Sequence, residues 1–272
     1  MIGFACGALW IVLVLVASRL SPQVDLLRFP LAWFGVLVAL DGLARLRRGG
    51  SPLRTAADWI AAGAASIVCW DAFELVNLRL RNWWYVGVSP DPWAGGVFGA
   101  ISFATVLPAM RLLSAQLAGA QPVDAPRRPW KAAAGVVMLL LALAFPRYAF
   151  PFAWIFLWPI CETLAGVRVP WRAMALGLPL GLLWESLNWR CARGWFYTVP
   201  FFENPRLFEM PLPGYLGYLP FALECLAALA LLDRLRPRLR GARGAVAFLL
   251  ILCFHFGADL LARGQTVVSF SR

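Results

Sequence analysis

Two short patterns in this chain place a carboxylate and an amide one helical turn apart: Glu74 with Asn77, and Glu185 with Asn188. A spacing of three sets both members on one helix face. Arg79 and Arg190 follow at matching distances, then Trp84 and Trp195. Asp71 lies one turn before Glu74, so the first pattern presents two carboxylates together. Such a pair can divide the work of acid and base, one group holding a proton that the other has lost. Drift in one copy of a pattern would produce the same asymmetry.

Four other groups belong in the same inventory. Asp41 and Glu162 lie deep in apolar runs, on the order of 20 Å along a helix at about 1.5 Å per residue. Ionisable groups at such depth are costly and by default functional. Arg45 stands four residues after Asp41, which equally suits a structural ion pair, whereas Glu162 has Gly166 at that spacing. Glu224 sits in mid-segment after Pro220, and His255, the only histidine, precedes Asp259 by one turn. His255 reads either as a buried hydrogen-bonded side chain or as a proton relay. The two Glu-x-x-Asn faces read either as a polar network joining helices or as a ligand site. Arg79, Arg190, Trp84 and Trp195 also suit headgroup-level anchors. One histidine and six cysteines without a CxxC pair leave no metal or haem motif, so neither a metal nor a cofactor is expected.

The elements that must hold these residues are hydrophobic helices. The 272 residues are 61% hydrophobic and only 14% charged, with a mean hydropathy of +0.70. That is too little charge to solvate a globule of this size, so lipid replaces water around most of it. The apolar runs do not alternate with period two, which selects helices over a barrel. The fold class expected is all-α and integral to the membrane. Nine segments can be counted, near 2–18, 27–44, 57–76, 94–113, 132–147, 150–166, 172–188, 214–232 and 244–262. The first lacks a basic leader and reads as a retained helix rather than a cleaved signal. The fifth and sixth form a tight hairpin or one broken helix at Pro146. Thr198 to Gly214, rich in proline and phenylalanine, reads as an interfacial or re-entrant stretch.

Charge placement sets orientation. The chain has 25 Lys+Arg against 14 Asp+Glu. Its basic residues cluster in alternate loops, at Arg45 to Arg54, Arg127 to Lys131, Arg168 to Arg172 and Arg234 to Arg243. This follows the positive-inside rule and argues against nucleic acid as a partner. The expected location is a bacterial inner membrane, with the N-terminus cytoplasmic and the C-terminus outside.

The chain also resembles itself. Phe29-Pro30-Leu31-Ala32-Trp33 recurs as Phe150-Pro151-Phe152-Ala153-Trp154, and in the same register Asp41 falls on Glu162. Downstream, Glu74, Asn77, Arg79, Trp84 and Tyr85 fall without a gap on Glu185, Asn188, Arg190, Trp195 and Phe196. A weaker match sets Phe103-Ala104 against Phe221-Ala222. The reading is two parallel four-helix repeats, 1–120 and 121–235, plus an additional helix and tail, 236–272. Parallel repeats of this kind place a site at their shared interface.

The pattern Trp184-Glu185-x-x-Asn188, Trp195-Phe196-Tyr197, Phe208-Glu209-Met210-Pro211 and Gly217-Tyr218-x-Pro220-Phe221-Ala222-x-Glu224 resembles a family of uncharacterised bacterial polytopic membrane proteins. That resemblance implies no activity. A fainter one is to the lycopene cyclase domain of carotenoid synthesis, which repeats an acid, then an aromatic pair, then a Pro-x-Glu-Glu helix. Here Pro220 is followed by Glu224 alone. This second resemblance implies chemistry on an isoprenoid.

Three functions fit these residues. The first is a membrane-embedded enzyme acting on a lipophilic, isoprenoid-type substrate by carboxylate acid/base chemistry. Glu162, Asp41, Glu185, Glu74 and Asp71 would be its catalytic candidates. Asn77, Asn188, Arg79, Arg190, Trp84, Trp195, Glu224 and His255 would contact substrate. The second is a proton-coupled transporter or flippase. The third is a structural or assembly subunit whose acids hold helices together. Membrane lipids and a lipophilic small molecule are the expected partners.

Overall fold

A computed structural model describes residues 2–268. It is mostly helical. The helices that matter below are α1 (Ile2–Leu20), α2 (Arg28–Arg48), α3 (Ala56–Leu80), α4 (Pro92–Phe103), α5 (Val106–Ser114), α6 (Pro129–Ala144), α7 (Leu157–Ala165), α8 (Gly177–Asn188), α9 (Tyr215–Leu235) and α10 (Ala242–Ala262). Among the described residues, seven stretches are helical, long and apolar enough to cross a membrane. Of the nine expected segments, the two not among them are shorter: α6 has 16 residues, and α8 has 12 after a 3-10 turn. Large apolar side chains such as Leu9, Val12, Ile60, Leu140, Leu249 and Leu250 face outward, as contact with lipid requires.

Close packing starts at the N-terminus. α1 lies along α2, and a Cβ on Gly42 would strike the backbone of Gly3 and Phe4, while one on Gly7 would strike Ala39. Glycines here let two backbones approach, the usual route to association where lipid offers no hydrophobic drive.

Two expected segments are broken, and each break is repaired by a side chain from a neighbour. The fourth divides at Ala104 and Thr105, ahead of Pro108, which has no N–H to give. Ser66 of α3 donates to the Phe103 carbonyl at 2.5 Å and accepts the Leu107 N–H at 3.1 Å. The sixth opens as a 3-10 turn over Phe150–Trp154, past the turn at Pro146 that ends the fifth, and restarts as α7, which packs on α6 as a hairpin rather than one broken helix. Glu224 of α9 accepts the Leu157 N–H, freed at the start of α7, at 2.9 Å. An unsatisfied backbone group in hydrocarbon costs several kcal/mol, so both repairs are required rather than optional.

The chain is not purely α-helical. β1 (Trp83–Val88) pairs antiparallel with β2 (Gly194–Tyr197) and parallel with β3 (Thr266–Val268). This sheet occupies the stretches that read as interfacial anchors. Aromatic and β-branched residues favour strands, and backbone outside a helix at this depth must pair with something. The Thr198 to Gly214 stretch contains a small β-hairpin, Arg206–Leu207 with Met210–Pro211, and no α-helix.

Candidate functional site

The two Glu-x-x-Asn faces meet at the sheet. The Asn77 amide donates to the Trp83 carbonyl at 2.8 Å and its carbonyl accepts the Asn82 N–H at 2.8 Å. Asn188 does the same for Trp195, donating to its carbonyl at 2.7 Å and accepting its N–H at 3.0 Å. Asn77 also exchanges hydrogen bonds with Gln265, which fixes the C-terminal segment. Both amides are thus spent on tying a strand to a helix. Neither lines the cavity described below.

The glutamates are held by aromatic donors. Glu74 accepts the Tyr85 hydroxyl at 2.6 Å and the Trp83 indole at 3.1 Å. Glu185 accepts the Tyr197 hydroxyl at 2.8 Å and the Tyr218 hydroxyl at 2.5 Å. Burial first, then the adjacent carboxylate, pushes the Tyr85 and Tyr197 hydroxyls well above the usual phenol range, so both stay donors. These contacts correct the ungapped alignment. Trp83 and Tyr85 correspond in role to Trp195 and Tyr197, one residue later than expected, so the second loop carries an extra residue. Trp84 is not the counterpart of Trp195; its indole donates to Thr198 at 3.2 Å.

Only the first glutamate faces open space. A cavity of about 100 Å³ is lined by Asp71 and Glu74, by the rings of Phe29, Trp70, Phe98, Phe103, Trp184 and Trp195, and by Tyr85, Arg193 and Asp259. Around Glu185 the corresponding room is taken by Tyr218, which lies directly against Gly177 and Gly181.

Asp71 is paired with the chain's single histidine. Its Oδ1 lies 2.9 Å from His255 Nδ1, and both residues are buried. His255 Nε2 lies 2.9 Å from the Gly96 carbonyl, which can only accept, so Nε2 carries a hydrogen. The Nδ1–Oδ1 contact then holds one proton shared between imidazole and carboxyl. Asp71 Oδ2 has no hydrogen-bond partner among the described residues. Asp259, one turn beyond His255, pairs with Arg263 at 3.5 Å.

The remaining sequence candidates lie elsewhere. Asp41 pairs with Arg45 at 2.7 Å, the structural alternative its spacing offered. Glu162 has a partner that spacing along its own helix could not supply: Lys131 of α6 at 2.8 Å, with the Val169 N–H at 2.6 Å. Neither acid lines the cavity. Glu224 caps α7, Arg79 donates to the Leu143 carbonyl at 3.1 Å, and Arg190 stacks on Trp189 at 4.6 Å. Arg193 and Tyr85, which sequence reasoning did not single out as site residues, line the cavity through loop and strand geometry.

Aromatic packing joins the two halves reciprocally. Trp33 meets Trp184 edge-on at 4.7 Å, and Trp154, its sequence match, stacks on Phe73, the match of Trp184, at 5.7 Å. Phe103 and Phe221, the weaker matched pair, both pack on Trp70. No family model, curated protein or solved structure matches the chain. Fold and cavity together define a membrane-embedded helical protein with an aromatic, carboxylate-bearing cavity between its helices.

Proposed function

We propose that this protein is a membrane-embedded enzyme that adds a proton to, and removes one from, a lipophilic substrate of isoprenoid type. The observation that carries the reading is Asp71, tied to His255 through Oδ1 with Oδ2 unpartnered, beside an aromatic cavity. A protonated Asp71 would deliver its proton to a double bond. The π pair forms the new C–H bond and leaves positive charge on the neighbouring carbon. The faces of Trp70, Trp184 and Trp195 and the Glu74 carboxylate would stabilise that charge. Loss of a proton from an adjacent carbon back to Asp71 completes an isomerisation or ring closure with nothing else consumed.

Three finer readings accompany this one. The halves 1–120 and 121–235 derive from duplication of a four-helix unit, supported by the recurring Glu-x-x-Asn clamps and the reciprocal tryptophans. The expected nine crossings would include the short α6 and α8. The protein lies in a bacterial inner membrane with its arginine-rich loops cytoplasmic, supported by their alternation along the chain.

The test is mass spectrometry of an organic extract of gently purified protein beside its Asp71→Asn variant. A stoichiometric lipophile that differs chemically between the two supports the enzyme. Bulk phospholipid alone in both refutes it.

A further inference from the structure

Arg193 lines the same cavity but uses only part of its guanidinium. Its Nε donates to the Gly87 carbonyl at 2.7 Å, and its Cζ sits 4.3 Å from the centre of the Phe98 ring. Gly87 is required there: its φ is +69°, and a Cβ would strike Ala192 and Arg193. The backbone thus holds Arg193 at a fixed place. Every acid on the cavity wall already has a partner, Asp71 with His255, Glu74 with Trp83 and Tyr85, Asp259 with Arg263. No carboxylate pairs with Arg193 among the described residues. A half-buried cation without a counter-charge is costly, and a ligand oxyanion would offset that cost.

We infer that the cavity binds an amphiphile whose oxyanion head, phosphate or carboxylate, sits on Arg193 while its hydrocarbon lies on the rings of Phe103, Trp70 and Trp184 toward Asp71. This rests on the acid/base reading only for which end of the ligand reacts. Arginine presents two parallel N–H donors to such a head, and a neutral head would forfeit them.

The experiment places the protein in phosphatidylcholine nanodiscs and follows tryptophan emission on titration with dodecyl phosphate, dodecanoate and dodecanol. Both anions should bind at least about tenfold tighter than the alcohol, the scale of one charge-assisted hydrogen bond. Arg193→Gln should abolish that preference and Arg193→Lys should restore part of it. Equal binding of anion and alcohol overturns the inference, as does a preference that survives Arg193→Gln. Should the glutamine variant fail to fold, the wild-type ratio and its reduction in Arg193→Lys still decide. Displacement of dodecyl phosphate by inorganic phosphate at similar concentration would mark a free-anion site and also overturns it. Displacement by phosphatidylglycerol built into the disc supports it and names a lipid as the source of the head. An anion preference in the parent protein together with full product in Asp71→Asn would refute the proposed chemistry and leave this site standing, so the two failures are separable.

Discussion

At the scale of the residue, the acids of this protein divide by what holds them. Asp41, Glu162 and Glu224 are engaged by an arginine, a lysine and a backbone N–H, and none lines the cavity. Asp71 alone combines a shared proton with an unpartnered oxygen beside the cavity. Asp71→Asn should therefore lower turnover by about 10²–10⁴, the usual worth of a positioned acid, without loss of fold. His255→Gln should lower it too, because Nδ1 no longer shares the proton. Product levels in cells carrying each variant check this, and full product in both would refute the role. Glu162→Gln should act the other way, leaving turnover intact while lowering stability by about 1–3 kcal/mol, since Lys131 loses its partner. Thermal unfolding in detergent reads that difference. The deep acids could be found from the sequence, but their ranking could not. Lys131 lies 31 residues from Glu162, and no helical spacing predicts their contact.

At the scale of the element, the Glu-x-x-Asn pattern proves to be a device for fastening a strand to a helix end. Its amide neutralises backbone groups that would otherwise be exposed where the helix stops, and its glutamate is clamped by the aromatic side chains of that strand. Asn77→Ala should cost about 1–3 kcal/mol for each buried backbone group it orphans, and should also release the segment held through Gln265. Hydrogen exchange at β3 should rise in Asn77→Ala and stay unchanged in Asn188→Ala, whose amide holds Trp195 of β2. Equal protection in both variants and the parent would refute the tether. The pattern was legible in the sequence as a repeated constellation. The strands were not, because Trp, Tyr and Arg in a loop between apolar helices are what a membrane interface also requires. The one-residue shift was hidden for a related reason: adjacent Trp83 and Trp84 let an ungapped alignment match the wrong tryptophan. Likewise nothing in the spacing of Arg193 marks it; Gly87 and Phe98 set its place.

At the scale of the whole molecule, the organisation is an exchange of aromatic side chains between halves. Trp33 and Phe29 of the first half pack on Trp184, and Trp154 of the second packs on Phe73 and Trp83. Aromatic pairs of this kind are worth about 0.5–1.5 kcal/mol each beyond the area they bury. Each half therefore completes the other's core, and the cavity itself draws Phe29, Trp70, Trp184 and Trp195 from both. Expressed separately, residues 1–120 and 121–272 should each be degraded. Expressed together, they should be recovered as one complex, because the break falls in the loop before α6 and cuts none of the contacts above. Trp33→Ala should weaken that reassembly more than the loss of an outward residue such as Trp130. Recovery of either half alone as a stable, folded species would show that the exchange is incidental. The asymmetry of the cavity follows from the same arrangement. Two similar carboxylate clamps face one shared interior, and Tyr218 fills the space beside the second, so a single site remains beside the first.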